Sequence, residues 1–262
     1  MYNDYNLKTW GQTVLAIAAF SKFESFKKEI QSLSLPLEDE ALISESFLLD
    51  KDEKKQLEIY YAPFEHVNEH AQVVIAGITP GLHQMKKSYS TVLDFKGQET
   101  ENETILHEVK KNSSFEGPMR KNLITMLDEL NLHKHLGLSS TSELFGEASS
   151  LVHTTSVITY PVFHKGKNYS GSTPNILKTE LLRDYILQGF AREIESLKNT
   201  LIIPLGVNVE KVLAFLAANN RLSPESILSG FPHPSGGNGH RHRQFAENKA
   251  AMEKTLKAYF EK

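Results

Sequence analysis

Short runs of apolar and β-branched residues alternate along the chain with stretches whose apolar residues recur at helical spacing. The first run, 71–76, ends at Gly77 without alternating with polar positions, which is typical of a strand buried on both faces. Similar runs occupy 151–159 and 200–205. Because strands that alternate with helices favour a parallel sheet covered on both faces, the pattern predicts an α/β fold.

Helical spacing separates these runs and follows the last of them. Apolar residues recur every three or four positions over 119–130 and 182–197, after Gly206, and again over 245–259. The two longest remaining polar stretches, 82–112 and 161–174, are expected to be irregular. Loops of this kind at the carboxyl ends of parallel strands are where α/β sheets bind ligands.

The beginning of the chain predicts a helical cap. We expect residues 1–50 to form this cap on an α/β core of residues 51–262, with all of 1–262 in a single domain. Two helix-like stretches are expected in the cap, and the second is broken by a proline. The residues on which this rests are Trp10, Val14, Ile17 and Ala18 in the first, Phe23, Phe26 and Ile30 in the second, and Leu35-Pro36-Leu37 at the break.

Composition narrows the classes of function. The 262 residues include no cysteine, which excludes disulfides, thiolate nucleophiles, Cys-ligated zinc and iron–sulfur clusters. The net charge of −3 gives no reason to expect tight non-specific binding of nucleic acid, so any positive charge for such a partner must be local. The apolar run Val14 to Phe20 is too short to span a bilayer, and we expect a cytoplasmic monomer without a membrane partner.

Two short loops contain the candidate chemistry. Gly77-Ile78-Thr79-Pro80-Gly81 directly follows the first predicted strand, and its glycines allow the backbone to approach a ligand closely. Taken alone, such a sequence is more often only a turn. The second loop, 231–243, holds His233 between two prolines that restrict its backbone. Its glycines and the following helix N-terminus offer N–H groups to an anion.

The second loop also permits a metal site. His233, His240 and His242 could bind zinc, since a His-x-His pair suits that ion. No acidic residue accompanies them in the loop, and Arg241 and Arg243 favour phosphate over a dication. A structural role for a single histidine is a further alternative.

In order and placement, the two loops resemble motifs of the uracil-DNA glycosylase superfamily, a Gly-x-x-Pro-Gly turn and a His-Pro-Ser loop. Ser114-Phe115-Glu116-Gly117-Pro118 is similar to the Pro-Phe-x-Gly element of the iron–sulfur branch, and Leu201 to Gly206 is similar to a strand that ends in Leu-Gly. The resemblance covers about 71–260. It implies a three-layer α/β/α sandwich with a four-stranded parallel sheet. It also implies a monofunctional DNA N-glycosylase that uses no cofactor or metal and acts on a base flipped out of single- or double-stranded DNA.

The resemblance assigns roles by position. His233 would donate a hydrogen bond to the base oxygen and act in catalysis with Thr79. A fixed donor is catalytic here because negative charge develops on the departing base as its glycosidic bond breaks. Phe115 would stack on the base, with Ser156, Gly77 and Ile78 also in base binding. The residues expected to contact DNA phosphate are Pro80, Gly81, Ser235, Asn238, Arg241 and Arg243.

Departures from the superfamily pattern in two places affect the mechanism. Ile78 and Thr79 stand where other branches place a carboxylate or an amide, so water would be positioned by the Thr79 hydroxyl, by backbone carbonyls or by an acid from another loop. Ser156 replaces a base-reading Asn, and a modified or bulkier base than uracil is therefore a candidate substrate. Lyase activity would need an amine, for which Lys86 and Lys87 are the nearest candidates.

Two other functions stay open. A sensor of nucleic acid or nucleotides could keep the pocket without the chemistry, and it would have no turnover for a His233 substitution to remove. A hydrolase of free nucleosides would act on mononucleosides and show no salt-sensitive affinity for DNA.

Overall fold

The computed structural model describes residues 22–261, which form a mixed α/β fold. The predicted helix around Val14 lies outside these residues. The strands are β1 (Leu48–Asp52), β2 (Leu57–Tyr60), β3 (Val73–Gly77), β4 (Val152–Ser156), β5 (Val162–His164), β6 (Lys167–Asn168) and β7 (Leu201–Pro204).

The helices range from one turn to twenty residues. They are α1 (22–32), α2 (Asp39–Leu42), α3 (Leu82–Asp94), α4 (Asn102–Ser113), α5 (Pro118–Glu129), α6 (Leu132–His135), α7 (Glu180–Tyr185), α8 (Ala191–Ser196), α9 (Val207–Ala218) and α10 (Arg241–Phe260). The π-helical segment Ile186–Phe190 joins α7 to α8. Short 3-10 helices occupy Glu45–Phe47, Thr141–Phe145, Ser149–Leu151 and Pro224–Ser226.

The three predicted buried strands pair in parallel in the order β4-β3-β7. The predicted fourth parallel strand is not confirmed, because in the described part of the chain only a single bridge, Ile202 to Ile227, continues the sheet beyond β7. The 3-10 turn Pro224–Ser226 precedes Ile227, and Gly230, with φ of 86°, turns the chain soon afterwards. These two turns leave too short an extended segment for a fourth strand.

A second sheet is antiparallel and has the order β1-β2-β5-β6. It corrects the prediction that 161–174 is irregular, since β5 and β6 form a hairpin around Lys165 and Gly166, both with positive φ. The prediction for 82–112 was wrong as well, because α3 and α4 fill most of it. Their buried residues are spaced as on a helix face: Met85, Tyr89 and Val92 on α3, and Ile105, Leu106 and Val109 on α4.

Helices cover both faces of the parallel sheet. On one face, Val74 and Ile202 pack with side chains of α7, α8 and α9, and on the other, Val73 and Ile75 pack with α5, α6 and α10. A third cluster joins α1, α3 and α4 to the segment around Tyr61. The sheet is thus held rigidly from two sides, and its carboxyl edge stays open to the loops that follow β3, β4 and β7.

The longest of these helices, α10, is amphipathic: Phe245, Met252 and Leu256 are buried, and charged residues occupy much of the remainder. Within residues 22–261, no helix has the length and apolar character needed to cross a membrane.

Truncation of a core leucine tests this packing. Leu213 on α9 is fully buried in the cluster that covers one face of the parallel sheet, whereas Leu35 is 69% exposed. We expect Leu213→Ala to lower the free energy of unfolding by about 2–5 kcal/mol, since it leaves a cavity, and Leu35→Ala to lower it by less than about 1 kcal/mol. Urea denaturation of both variants measures this. Equal losses would contradict the assignment of α9 to the core.

Candidate functional site

A cavity of about 490 Å³ opens at the carboxyl edge of the parallel sheet. The parallel hydrogen bonds extend past the strand ends, since the Val157 N–H donates to the Gly77 carbonyl and the Leu205 N–H to the Ala76 carbonyl, both at 2.9 Å. The loops after β3, β4 and β7 therefore begin at the same level. Most predicted site residues line the cavity: Gly77, Ile78, Thr79, Pro80, Gly81, Phe115, Ser156, His233, Ser235 and Asn238.

His233 is held in one tautomer. The Ser235 backbone N–H donates to Nδ1 of His233 at 3.2 Å, so Nδ1 acts as an acceptor and carries no proton. Burial lowers the pKa of His233 from its usual value. The ring is therefore neutral at pH 7, and its proton sits on Nε2, where it is available as a hydrogen-bond donor.

The backbone of His233 packs against Gly206 at the start of α9. A Cβ at Gly206 would lie 2.9 Å from the Cβ of His233, and the φ of Gly206 is 93°. Both facts require glycine at this position. The β7–α9 junction thereby sets the position of the histidine loop.

Side chains hold the carbonyls of the histidine loop. Asn238 Nδ2 donates to the His233 carbonyl at 3.1 Å, Asn122 Nδ2 to the Pro234 carbonyl at 2.8 Å, and the Arg241 guanidinium to the Ser235 carbonyl at 2.9 Å. Asn238 and Arg241, predicted to contact phosphate, thus have a role in shaping the loop. Arg241 does not line the cavity.

Arg243 also lies outside the cavity lining. Its side chain is exposed on α10 and pairs with Glu247 at 3.7 Å.

The three loop histidines form no metal site: within residues 22–261, no group of three or more His, Asp or Glu side chains is placed to hold an ion.

Thr79 ties the first loop to the antiparallel sheet. Its hydroxyl donates to the Tyr160 carbonyl at 2.7 Å and accepts the Val162 N–H at 3.0 Å. Since its proton is already donated to the Tyr160 carbonyl, the hydroxyl can bind a water only as an acceptor.

Side chains already occupy the first backbone donors of α3. The Gly81 N–H donates to Gln84, and the Leu82 N–H donates to Asn168.

Phe115 lies against the end of β3. Its φ is 54°, and its ring edge comes within 3.3 Å of where a Cβ on Gly77 would be; the Ser156 hydroxyl lies 3.4 Å from the same point. The Arg120 guanidinium donates to the Ser114 carbonyl and so fixes the turn that carries Phe115. The absence of a side chain at Gly77 lets these two groups converge on one wall.

Lys110 is a site residue that sequence reasoning missed. It lines the cavity although only 7% of it is exposed, and its Nζ donates to the Thr154 carbonyl at 2.6 Å. Burial lowers the pKa of this ammonium group. Lys86 and Lys87, the amines proposed from the sequence, do not line the cavity, and Lys86 pairs with Asp39 at 3.2 Å.

The lining is mainly apolar and lacks negative charge. Among the residues that the structure describes, no Asp or Glu lines the cavity, whereas Lys110 and His233 both do. An acid from another loop, one of the options for positioning water, is therefore not found in this lining. The arrangement suits a ligand that presents hydrogen-bond acceptors or gains negative charge.

A comparison with known proteins identifies a relative of nearly the same length. The Bacillus subtilis (strain 168) protein named "Uncharacterized protein YoxB" is 39% identical over 241 residues, which is 91% of this chain and 93% of that protein. The chain belongs to the YoxB family. No protein-family model matches the chain, and no solved structure matches it significantly.

A substitution at Gly206 tests the packing that positions His233. We expect Gly206→Ala to destabilise the protein by about 1–3 kcal/mol, because the added methyl group meets the His233 Cβ and the backbone needs positive φ. Gly236→Ala in the histidine loop is the matched control, since its new Cβ would meet nothing within 4 Å and its φ is ordinary. Chemical denaturation that ranks the control as the more damaging would contradict this packing.

Glu65 lies behind the Thr79 contact, close to two tyrosines. The Tyr61 and Tyr160 hydroxyls lie 3.4 and 3.3 Å from its carboxylate. Burial raises the pKa of Glu65 to about 7, so the folded protein favours the protonated acid more than the unfolded chain does.

This raised pKa predicts a specific pH dependence. The contribution of Glu65 to stability is complete below its unfolded pKa of about 4.5 and is lost as pH rises through about 7. Glu65→Gln should therefore gain stability relative to the wild type between pH 5 and pH 8, by on the order of 2 kcal/mol. Urea denaturation of both proteins at the two pH values measures the difference. A difference that does not change with pH would show that Glu65 titrates normally.

Proposed function

We propose that the protein is a DNA N-glycosylase that accepts a flipped uracil, or a modified or damaged base, and hydrolyses its N-glycosidic bond to leave an abasic site. The observation that carries this proposal is the tautomer of His233, whose neutral ring presents an Nε2–H donor at a cavity large enough for a base. Such a donor is suited to a leaving group that becomes negative as its bond breaks.

The bond-breaking step needs stabilisation mainly at the base. As the bond from C1′ to the base nitrogen breaks, its electron pair goes to the base and the sugar becomes oxocarbenium-like. His233 donates to a base oxygen and lowers the energy of that anion. A water held by backbone carbonyls and by the acceptor side of Thr79 then adds to C1′, and its proton passes to the departing base anion, which leaves as the neutral base.

The remaining lining residues are suited to binding a planar base. The aromatic ring of Phe115 and the hydroxyl of Ser156 share the wall beside Gly77, where a base could stack and form a hydrogen bond. Pro80, Gly81 and Ser235 line the same cavity and could contact the DNA backbone. Within residues 22–261, the N–H groups of Gly236 and Gly237 have no hydrogen-bond partner and can receive a phosphate.

We also propose that the fold is of the uracil-DNA glycosylase type. Three segments of the resemblance, the Gly77–Gly81 loop, the Phe115 turn and the His233 loop, line one cavity. The bridge at Ile227 would occupy the position of the fourth parallel strand. We expect DNA as the partner, with the protein acting in the cytoplasm as a monomer.

A second candidate is a sensor that binds a flipped base or nucleotide without cleaving it. The observation in its favour is that, in the described lining, no carboxylate is available to activate water. A sensor and an enzyme differ in turnover, and the same cavity would serve both.

Substitution of His233 separates the two candidates. We expect the wild type to convert at least one DNA bearing uracil, a mismatched thymine, a deaminated purine or a modified cytosine to alkali-labile abasic sites. Loss of the Nε2–H donor should make His233→Ala slower by about 100- to 1,000-fold. His240→Ala is the matched control, because His240 is exposed in the same loop and does not line the cavity.

The outcomes are distinct. Cleavage that is unaffected by His233→Ala would contradict the proposed role of this residue. An absence of cleavage with any substrate, accompanied by salt-sensitive DNA binding, would favour the sensor.

A further inference from the structure

A buried ammonium group forms part of the inner wall of the cavity. Lys110 lines both this cavity and a smaller one of about 30 Å³. Its partner, the Thr154 carbonyl, lies two residues before Ser156 on β4. Because β4 runs towards the cavity mouth, Lys110 contacts the part of the cavity farther from the opening than Ser156.

Lys110 has a structural role that uses only one of its N–H donors. β4 is an edge strand, and two of its carbonyls receive side-chain hydrogen bonds, that of Val152 from Asn68 at 2.9 Å and that of Thr154 from Lys110. The neutral side-chain amide of Asn68 satisfies the Val152 carbonyl. An ammonium group has three N–H donors, and among the described residues only the Thr154 carbonyl accepts one of them. Two donors thus remain for a ligand.

Lys110 distinguishes an oxygen from an amino group, which the neighbouring hydroxyls do not. The Ser114 and Thr154 hydroxyls, which are hydrogen-bonded to each other at 2.7 Å, lie on the same wall. While its Nζ is protonated, Lys110 cannot accept a hydrogen bond, and it therefore disfavours an amino group placed against it. The Ser156 hydroxyl can donate or accept and cannot make this distinction by itself.

We propose that Lys110 is a specificity-determining residue that selects flipped bases with an oxygen, rather than an amino group, on the edge farthest from the sugar. The inference rests on the proposed function of the same cavity and names its substrate class, the oxo-substituted bases. Uracil and hypoxanthine belong to that class, whereas cytosine and adenine carry the amino group at the corresponding position.

Binding of uncleavable DNA tests this selection independently of turnover. Single-stranded oligonucleotides with one 2′-fluoro nucleotide resist cleavage, because fluorine destabilises positive charge on the sugar. Uracil is compared with cytosine, and hypoxanthine with adenine. Each pair differs by an oxygen against an amino group and by the hydrogen on the adjacent ring nitrogen. We expect the wild type to bind the oxo member about 10- to 100-fold more tightly, as for a hydrogen bond to a charged donor.

Two variants assign the preference to Lys110. Lys110→Gln offers both a donor and an acceptor, so the ratio of affinities should fall to about one to three. Lys111→Gln, the neighbouring position on α4 with a more exposed side chain that pairs with Glu108, should keep the wild-type ratio. Circular dichroism establishes that both variants are folded.

Two results would overturn the proposal. One is a wild type that binds both members of each pair equally, which requires no variant. The other is a folded Lys110→Gln protein that keeps the full oxo preference. Failure of the glycosylase proposal is seen separately, as an absence of abasic sites in ordinary uracil or hypoxanthine DNA.

Discussion

The parallel hydrogen-bond ladder centred on β3 determines where the site forms. Its bonds continue beyond the regular strands, to Val157 on one side and Leu205 on the other, so three loops leave the sheet at one edge. Helices on both faces keep this edge rigid, and the antiparallel sheet holds the first loop through Thr79. Residues far apart in sequence, such as Ile78, Phe115 and His233, line one cavity for this reason.

The electrostatic character of the cavity follows from how backbone groups are satisfied. The Ser235 N–H donates to Nδ1 of His233, so the ring carries its proton on Nε2. The Thr154 carbonyl, on the edge strand β4, accepts a hydrogen bond from Lys110. Both side chains line the cavity. With no carboxylate in the described lining, this interior is matched to acceptors and to developing negative charge.

The sequence predicted the parts of the molecule whose local patterns are strong. The runs that became β3, β4 and β7 are apolar and bounded by turn residues, and the two loops at their ends contain unusual combinations of glycine, proline and histidine. α3 and α4 were missed because their many polar residues hid the spacing of Met85, Tyr89 and Val92 and of Ile105 and Val109. That spacing was the available signal.

Other features had weaker signals or none. The β5–β6 hairpin has strands of three and two residues, and the Lys165-Gly166 pair was the only hint of its turn. The burial of Lys110 depends on an edge-strand carbonyl, which is a tertiary relation with no trace in local sequence. Arg241 shows the same limit, since its guanidinium shapes the histidine loop from outside the cavity.

The protonation of His233 is the most direct test of this account. Long-range proton–nitrogen NMR correlations of the ring, recorded from pH 5 to pH 8, identify which nitrogen carries hydrogen. We predict a neutral ring at pH 7 with the proton on Nε2, an unprotonated Nδ1, and a pKa below the ordinary histidine value. A ring that is doubly protonated at pH 7, or one that carries its proton on Nδ1, would contradict it.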